Sequence, residues 1–140
     1  MDTKNPEPIG LMLAGGTGSR LEPTTKAINK HLINVYDKPM IYYSLSLLMF
    51  AGLREIIIIC RPQDEESLYS ILADGSQWGM KFSYMHQSEP NGIAEVFLIC
   101  AERIGRRRSF LVLGDNILHG ANLTKLLGSL ISDNQGASIL

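Results

Sequence analysis

Short apolar runs alternate with segments of helical periodicity along most of this chain. The apolar runs have the length and composition of buried strands, and turn residues separate them. One contains four consecutive isoleucines, a pattern typical of a central parallel strand that is covered on both faces. We predict strands at Ile9 to Ala14, Ile56 to Cys60, Phe82 to Met85, Ser109 to Leu113 and Ala137 to Leu140.

Helices are predicted between these strands by periodicity and by terminal residues. A helix from Met40 to Ala51 is bounded by Pro39 at its first turn and Gly52 just past its end. Asp64 is suited to cap a short helix that runs through Leu72, with Gly75 as the glycine that ends it. Two further helices are predicted, one from Leu123 to Ile131 and one with an apolar face formed by Ile93, Val96, Phe97, Cys100 and Ile104.

This alternation of β and α elements predicts an α/β fold, with a Rossmann-like, doubly wound, mostly parallel sheet in three α/β/α layers. We predict one domain over residues 9–140, preceded by a polar, flexible N-terminus at residues 1–8. In such sheets, ligands bind beyond the carboxyl ends of the strands. The glycine-rich loop after the first strand, Gln87 to Gly92 and Gly114 to Asn116 all fall at that edge.

The loop from Gly15 to Arg20 has three glycines and ends in an arginine. Glycine lets backbone N–H groups converge on an anion, and arginine adds a permanent forked charge. The loop is not a dinucleotide fingerprint, because Leu21 stands where glycine is needed, and no Gly-Lys-Ser/Thr tripeptide follows as in a Walker loop. A ligand-free turn is the alternative. Arg20 and Lys30 favour phosphate binding.

Asp115 directly follows a predicted strand and would face the glycine loop across the sheet edge. Mg²⁺ commonly joins one or two carboxylates to phosphate oxygens, so Asp115 is a candidate magnesium ligand. The alternative is an aspartate that caps the next turn. Gln87 can donate and accept hydrogen bonds at the edge of a base, and Gly92 permits close backbone approach to a flat ring, although Asn91-Gly92 is also a plain turn sequence.

Charge and composition narrow the possible partners. The formal net charge of the 140 residues is −1, which argues against nucleic-acid or membrane binding driven by bulk electrostatics. The basic run Arg106 to Arg108 is predicted to be a solvated turn, with an anion site as the alternative. Cys60 and Cys100 lie in apolar runs, so we expect buried free thiols in a reducing, cytoplasmic compartment. The histidines lack the spacing of a zinc site.

Several segments in order resemble the sugar-1-phosphate nucleotidylyltransferases, in particular the glucose-1-phosphate thymidylyltransferases. The resemblance runs from Ile9 to the C-terminus and covers roughly the first half of a typical member. Its motifs are Leu13 to Leu21, Lys30 to Tyr43, Asp74 to Gly79, Gln87 to Ala94 and Leu113 to Asn116.

The resemblance implies magnesium-dependent transfer of dTMP from dTTP to glucose 1-phosphate, giving dTDP-glucose and pyrophosphate, within the synthesis of dTDP-sugars such as dTDP-rhamnose. It also implies the role of each matching residue. The catalytic residues would be Arg20 and Lys30, the metal ligand Asp115, and the nucleotide-binding residues Leu13, Gly15, Gly16, Thr17, Gly18, Gln87 and Gly92.

The chain departs from the family pattern at three positions. His31 stands where many members have glutamine, Asn34 replaces a usual proline, and Glu95 occupies a position that is commonly glutamine. The resemblance also implies that the sugar-binding segments and a second metal carboxylate lie beyond residue 140. The chain is therefore either a fragment or a short form, C-terminally truncated relative to the family.

Three functions remain open at this point. The chain belongs to a thymidylyltransferase, to a sister enzyme that uses UTP, CTP or GTP, or to a nucleotide-binding remnant or regulatory module without turnover. The resemblance implies a homo-oligomer. We also expect an unpaired strand at the chain end, which would favour pairing with another chain or aggregation. The helix face formed by Leu123, Leu126, Leu127 and Leu130 is expected to be an exposed apolar patch.

Overall fold

The structure is a computed structural model that describes residues 6–26, 28–133 and 136–139. Strands and helices alternate along it, with a small hairpin inserted after the first strand. In chain order the elements are β1 (Ile9–Ala14), β2 (Asn34–Val35), β3 (Lys38–Pro39), α1 (Met40–Phe50), β4 (Glu55–Cys60), α2 (Glu65–Leu72), β5 (Lys81–His86), α3 (Glu95–Ile99), α4 (Ala101–Ile104), β6 (Ser109–Leu113) and α5 (Leu123–Asp133).

The main sheet has four parallel strands in the order β5-β4-β1-β6. Because β1 pairs with β4 on one side and β6 on the other, the chain crosses over in both directions from its first strand. In open α/β sheets, ligand sites lie at such a switch point, beyond the carboxyl ends of the strands. The predicted α/β class and mostly parallel sheet are confirmed.

Two separate cores lie on the two faces of this sheet. In β4, Ile56 and Ile58 pack on the face covered by α1, α2 and α5, whereas Ile57 and Ile59 pack on the face covered by α3 and α4. All four isoleucines are fully buried, which is the reason for the unbroken β-branched run. The three-layer arrangement is therefore confirmed.

The helix predicted around Val96 and Cys100 differs from the observed one. It is two short helices, α3 and α4, which meet at Cys100. Val96 and Cys100 are buried against the sheet, while Ile93 and Phe97 are largely exposed. The apolar residues of the sequence pattern form a wider stripe on these helices than the sheet covers, so part of that stripe is exposed to solvent.

The predicted capping role of Asp64 is wrong. Its carboxylate accepts hydrogen bonds from Arg61, with Nε–Oδ2 and Nη2–Oδ1 distances of 2.6 and 3.0 Å, and makes no capping bond to α2. The helix runs through Leu72, as predicted, but the residue that ends it is Ala73, with a positive φ of 46°, and not Gly75. Gly75 instead begins the following turn.

The C-terminal expectations are corrected in two respects. Residues 137–139 form no strand and Ile139 is exposed, while Leu140 lies outside the described residues, as do residues 1–5 of the predicted flexible N-terminus. The apolar face of α5 is partly covered: Leu127 is fully buried, and Leu123 packs against the core beneath α1. Only Leu126 is strongly exposed among the four leucines named above.

The basic turn after α4 is more than a solvated segment. Arg107 pairs with Glu55 at 2.8 Å, and Arg108 donates to the Ile131 and Ser132 carbonyl oxygens near the end of α5. Arg106 alone of the three is exposed without a partner among the described residues. The run therefore joins β4 and α5 to the turn.

Both cysteines are buried, as expected from their apolar surroundings. Burial raises the pKa of Cys60 to about 12, so this thiol stays protonated at neutral pH. Within the described ranges, no helix has the length and hydropathy needed to cross a bilayer.

Candidate functional site

The three segments expected at the carboxyl edge of the sheet lie together. The Gly114 N–H donates to the Leu13 carbonyl oxygen at 2.8 Å, which joins the turn after β6 to the end of β1. On the other side, a Cβ placed on Gly15 would lie 3.5 Å from Gln87 Oε1. The glycine loop is thus bordered by Gln87 on one flank and by Gly114 and Asp115 on the other.

At one position of the glycine loop, Gly18, the backbone has a conformation that only glycine adopts without strain. Gly18 has a φ of +68°, and a Cβ there would lie 2.8 Å from Cγ2 of Thr25. The Thr25 hydroxyl donates to the Gly18 carbonyl oxygen at 2.8 Å. Gly16 and Thr17 are exposed at the open side of the loop. The loop is preformed and its outer surface is free for a ligand.

Arg20 lies in the single helical turn Ser19–Leu21 that follows the loop. Its side chain is exposed and has no ion-pair partner in the part of the chain that the structure describes. An exposed guanidinium beside a glycine loop retains all its donors for an anion.

Lys30 lies against the glycine loop. Its Nζ would be 3.3 Å from a Cβ on Gly16, and it donates to Asp115 Oδ2 at 2.6 Å. Burial alone would raise the pKa of Asp115, but the hydrogen bond and charge of Lys30 outweigh it and lower that pKa. Asp115 is therefore an anion at neutral pH, and its only side-chain partner among the described residues is Lys30.

Asp115 is positioned by the turn after β6. The Asn116 side-chain oxygen accepts a hydrogen bond from the Leu113 N–H at 3.0 Å, and the Asn116 carbonyl oxygen accepts one from Ser44 in α1. These bonds fix Asn116, and the hydrogen bond from the Gly114 N–H to the Leu13 carbonyl oxygen fixes the residue on the other side of Asp115. The carboxylate is consequently presented at the strand end instead of capping the turn itself.

His31 supports this side of the site, and sequence reasoning noted it only as a departure from the family. Its backbone N–H and its Nδ1 both contact Asn29 Oδ1, at 2.8 and 2.9 Å. Because that oxygen only accepts, Nδ1 carries the proton. The ring packs on Gly114, where a Cβ would lie 2.6 Å from the ring carbon Cδ2. His31 therefore sets the distance between the Lys30 turn and the Asp115 turn.

Burial, followed by the positive charge of Lys30, lowers the pKa of His31 from 6.5 to about 4. Arg61 also lowers it, whereas Asp115 and Asp64 raise it. Since the unfolded chain binds a proton that the folded chain excludes between these values, stability falls as pH falls from 6.5 toward 4. We expect urea unfolding to show a loss of about 1 kcal/mol between pH 6 and pH 5.

The matched variants separate His31 from the other titrating groups. Carboxyl groups with lowered pKa, such as Glu55 and Asp115, lose their contribution mainly below this window. His31→Gln is expected to flatten the slope between pH 6 and pH 5. His119→Gln, at an exposed position, should leave it unchanged. An equal slope in His31→Gln and the unsubstituted chain would contradict this assignment.

Gln87 lies on the other flank and is buried, with 6% of its surface exposed. Its Nε2 donates to the Gly92 carbonyl oxygen at 3.0 Å and to Glu95 Oε2 at 2.7 Å. A shallow depression beside it is also lined by Thr17 and Arg61. Sequence reasoning missed Arg61, because this residue belongs to no motif. The signal that could have found it is its position directly after β4, a parallel strand next to β1.

The donor set for a metal ion is small. Among the described residues, no three His, Cys, Asp or Glu side chains come close enough to form a metal cage. Asp115 supplies one carboxylate beside the glycine loop. Mg²⁺ often binds through one or two carboxylates, with substrate phosphates and water completing its shell. The residues present fit an ion that arrives with a triphosphate better than a resident metal.

Comparison with known proteins agrees with this geometry. The nucleotidyl transferase family model matches residues 9–140. A glucose-1-phosphate thymidylyltransferase from Xanthomonas campestris pv. campestris is 49% identical over 130 residues, covering 93% of this chain and 44% of that protein. One from Neisseria meningitidis serogroup A is 47% identical, with 93% and 45% covered. The chain thus spans less than half the length of these curated relatives.

Solved structures give the same result for the fold. A Bacillus anthracis protein described as a glucose-1-phosphate thymidylyltransferase, crystallised with sucrose, matches with a TM-score of 0.79 and 37% identity. The match covers 85% of this chain and 48% of that protein. A UDP-glucose pyrophosphorylase bound to UDP-glucose has a TM-score of 0.74 at 24% identity, a likeness that concerns the fold alone.

Proposed function

This chain belongs to the nucleotidyl transferase family, and on that premise we propose that it takes part in transferring dTMP from dTTP to glucose 1-phosphate. The products would be dTDP-glucose and pyrophosphate, made in the cytoplasm for dTDP-sugars such as dTDP-rhamnose. The observation that carries the proposal is the arrangement of a preformed glycine loop between Gln87 and the Lys30–Asp115 pair. One flank suits a base, and the other suits charged phosphates.

In this proposal the phosphates bind at the glycine loop. Backbone N–H groups of Gly16, Thr17 and Gly18 face the triphosphate, and Arg20 and Lys30 approach it from the two ends of the loop. Both cations stabilise the charge that develops on the α-phosphate when a sugar phosphate oxygen attacks in line and pyrophosphate leaves. Catalysis then comes from positioning and charge, with no covalent intermediate on the protein.

The nucleoside is proposed to lie between β1 and the Gln87 loop. Leu13, near the end of β1, and Gly15, just after it, line one side, and Gln87 and Gly92 meet the edge of the base. Gly92 has a φ of +98° and no atom within 4 Å of a Cβ position, so the backbone there is open to a flat ring. A bound Mg²⁺ would neutralise phosphate charge from the side of Asp115.

A second candidate function is a nucleotide-binding module without turnover. It is favoured by one observation: the described site supplies contacts for a nucleotide but none that we can assign to a sugar. A pyrophosphate-release assay with dTTP and glucose 1-phosphate, run beside calorimetry with dTTP, separates the two. Turnover supports the transferase, and binding without turnover supports the module.

We also propose that the protein is a homo-oligomer. Within the described residues, β5 and β6 are the outer strands of the sheet, and each pairs on one side only. An open edge strand is a template for further pairing. Light scattering on the purified protein tests the proposal, and a monodisperse monomer at all concentrations would contradict it.

Asp115→Asn tests the proposed magnesium site. The substitution keeps the shape of the side chain but removes the charge that a divalent cation needs. We expect dTTP affinity in the unsubstituted chain to rise with added Mg²⁺, and this gain to shrink by about tenfold or more in the variant. Isothermal calorimetry at several Mg²⁺ concentrations measures it.

Asp133→Asn is the control for the loss of one negative charge, since Asp133 is exposed at the end of α5. It should keep the full magnesium dependence. If Asp115→Asn keeps it as well, Asp115 serves only as the partner of Lys30.

A further inference from the structure

Basic side chains lie together at the amino ends of the parallel strands, the end of the sheet opposite to the glycine loop. Four exposed cations there form what we term the amino-edge cluster: Arg54, Lys81, Arg103 and Arg106. We propose that the amino-edge cluster is a docking site for an extended acidic segment of a partner protein. The nucleotide site uses none of these residues, so the inference goes beyond the proposed function.

The cluster is assembled by strands that begin at the same edge of the sheet. Lys81 begins β5 and is paired in register with Glu55, the first residue of β4. The Lys81 N–H donates to the Arg54 carbonyl oxygen at 2.8 Å. Arg107, in the turn that leads from α4 into β6, donates to Glu55 and to the Arg103 carbonyl oxygen. Residues that are far apart in sequence are thus held side by side.

Glu55 shows that these cations act on the same small region. Arg107 Nη1 and Nη2 lie 2.8 and 3.5 Å from its two oxygens. The hydrogen bond from Arg107 lowers the pKa of Glu55 against the effect of burial, and the charges of Arg107, Lys81 and Arg103 lower it further. Lys81 and Arg103 are therefore close enough to attract a carboxylate beside them. One carboxylate, already bound by Arg107, does not neutralise all three cations.

The cluster differs from other basic positions because it lacks carboxylate partners. Several basic side chains elsewhere each have a carboxylate within 3.5 Å: Lys26, Lys30, Lys38 and Arg61. Over the ranges that the structure describes, Lys81, Arg103 and Arg106 make no side-chain hydrogen bond or ion pair. Arg54 donates to the carbonyl oxygen of its neighbour Leu53. Most donors of the cluster are therefore available to an anion, and like charges held this close favour one.

The width of the cluster indicates the shape of its ligand. Neighbouring strands are about 4.8 Å apart, so the distance from β5 across β4 and β1 to β6 is about 14 Å. A single phosphate group does not reach across this distance. An extended peptide rises about 3.3 Å per residue, so about five residues are enough. Carboxylates along such a segment can each meet a separate cation, as Glu55 meets Arg107.

The charge distribution favours a short acidic peptide over a nucleic acid. The formal net charge of the chain is −1, so the attraction for polyanions is local to the cluster. Screening at 0.1 M salt limits that attraction to about 10 Å, whereas a strand of this sheet is about 20 Å long. Exposed acids at the opposite end, such as Glu66 and Glu89, therefore do not affect a short segment. They would repel a polyanion long enough to pass them.

Fluorescence anisotropy with labelled hexaglutamate, at about 50 mM salt, tests the inference. Arg103→Gln/Arg106→Gln is expected to weaken binding by about fivefold or more, because each exposed ion pair adds a modest contribution of its own. Lys26→Gln/Lys125→Gln is the matched control: it removes two exposed cations outside the cluster and changes the net charge equally. The control should stay within about twofold of the unsubstituted chain.

Further measurements separate the cluster from the glycine loop, where Arg20 is also unpaired within the described residues. Arg20→Ala and a saturating concentration of dTTP should each leave the affinity for hexaglutamate unchanged. Glu102→Gln, which removes an exposed acid next to Arg103 in α4, should increase it. Raising the salt concentration to about 200 mM should weaken binding and reduce the effect of the double variant.

The outcomes that overturn the inference are distinct. They are no binding of hexaglutamate, equal binding by Arg103→Gln/Arg106→Gln and its control, and displacement of the peptide by dTTP. Urea unfolding of the double variant should match that of the unsubstituted chain. If it does not, Arg106→Gln alone still decides, because a smaller loss of affinity is expected there and no loss contradicts the inference. An oligothymidylate that binds more tightly than hexaglutamate, through the same residues, would identify a nucleic acid instead and overturn the peptide.

Discussion

Replacing Arg20 with alanine is expected to lower kcat/KM for pyrophosphate release by about 10²- to 10³-fold in any form of the protein that turns over. Arg20 stands at the end of the glycine loop, exposed and without an ion-pair partner among the described residues. Its charge is therefore not neutralised before substrate arrives. Losing one preorganised group of this kind costs about 3 kcal/mol of transition-state stabilisation.

Two further variants show whether the loss of rate is specific to position 20 and to the guanidinium group. Arg106→Ala removes an exposed arginine without a partner from the turn after α4, and should change kcat/KM by less than twofold. Arg20→Lys keeps the charge but loses the planar fork, so we expect an intermediate rate. Urea unfolding should show equal stability for all three proteins. An Arg20→Ala enzyme within twofold of the unsubstituted rate would exclude Arg20 from the chemistry.

The sheet was predictable because its determinants are local. Each strand of the main sheet is a short apolar run bounded by turn residues, and α1 has both Pro39 and Gly52 at its ends. The β2–β3 hairpin was missed because each of its strands has only two residues, too few for any periodicity. The break at Cys100 was missed for another reason: it depends on which side chains the sheet covers, and the sequence pattern does not show this.

The candidate site likewise contains some residues that the sequence predicts and others that it does not. Gly15 to Gly18, Gln87 and Asp115 were predictable, because the carboxyl ends of parallel strands share one edge and these residues follow three such ends. The supporting residues were not predictable. His31 packs on Gly114, which is far from it in sequence, and Glu95 accepts a hydrogen bond from the side chain of Gln87. Neither contact produces a regular spacing of residues in the sequence.

His31 illustrates why polarity alone misleads. A histidine between a lysine and a leucine, after an asparagine, is most simply placed at the surface. The structure buries it, with 2% of its surface exposed, because Asn29 satisfies its Nδ1 proton and Gly114 leaves room for the ring. Burial is thus permitted by two residues, one local and one on a distant strand end. Only the local one could be read from the sequence.

The second large effect is expected at Gly114. Gly114→Ala should lower the free energy of unfolding by about 2 kcal/mol, measured by urea denaturation. The new Cβ would lie 2.6 Å from His31 Cδ2 and 3.2 Å from the Leu13 carbonyl oxygen. The φ of Gly114 is outside the left-handed region, so the cost comes from steric overlap of the new Cβ with its neighbours and not from backbone strain. The buried His31 ring cannot turn aside without breaking its bond to Asn29.

Two comparisons identify the cause of that loss. Gly120→Ala places a methyl group where no atom lies within 4 Å, and should stay within about 0.5 kcal/mol of the unsubstituted chain. In a His31→Ala background the clash with the ring is absent, so Gly114→Ala should cost much less there, giving a coupling of about 1 kcal/mol or more. Because His31 also sets the spacing between Lys30 and Asp115, dTTP affinity should fall together with stability in Gly114→Ala but not in Gly120→Ala. Additive effects of the His31 and Gly114 substitutions would show that the ring is not what the glycine accommodates.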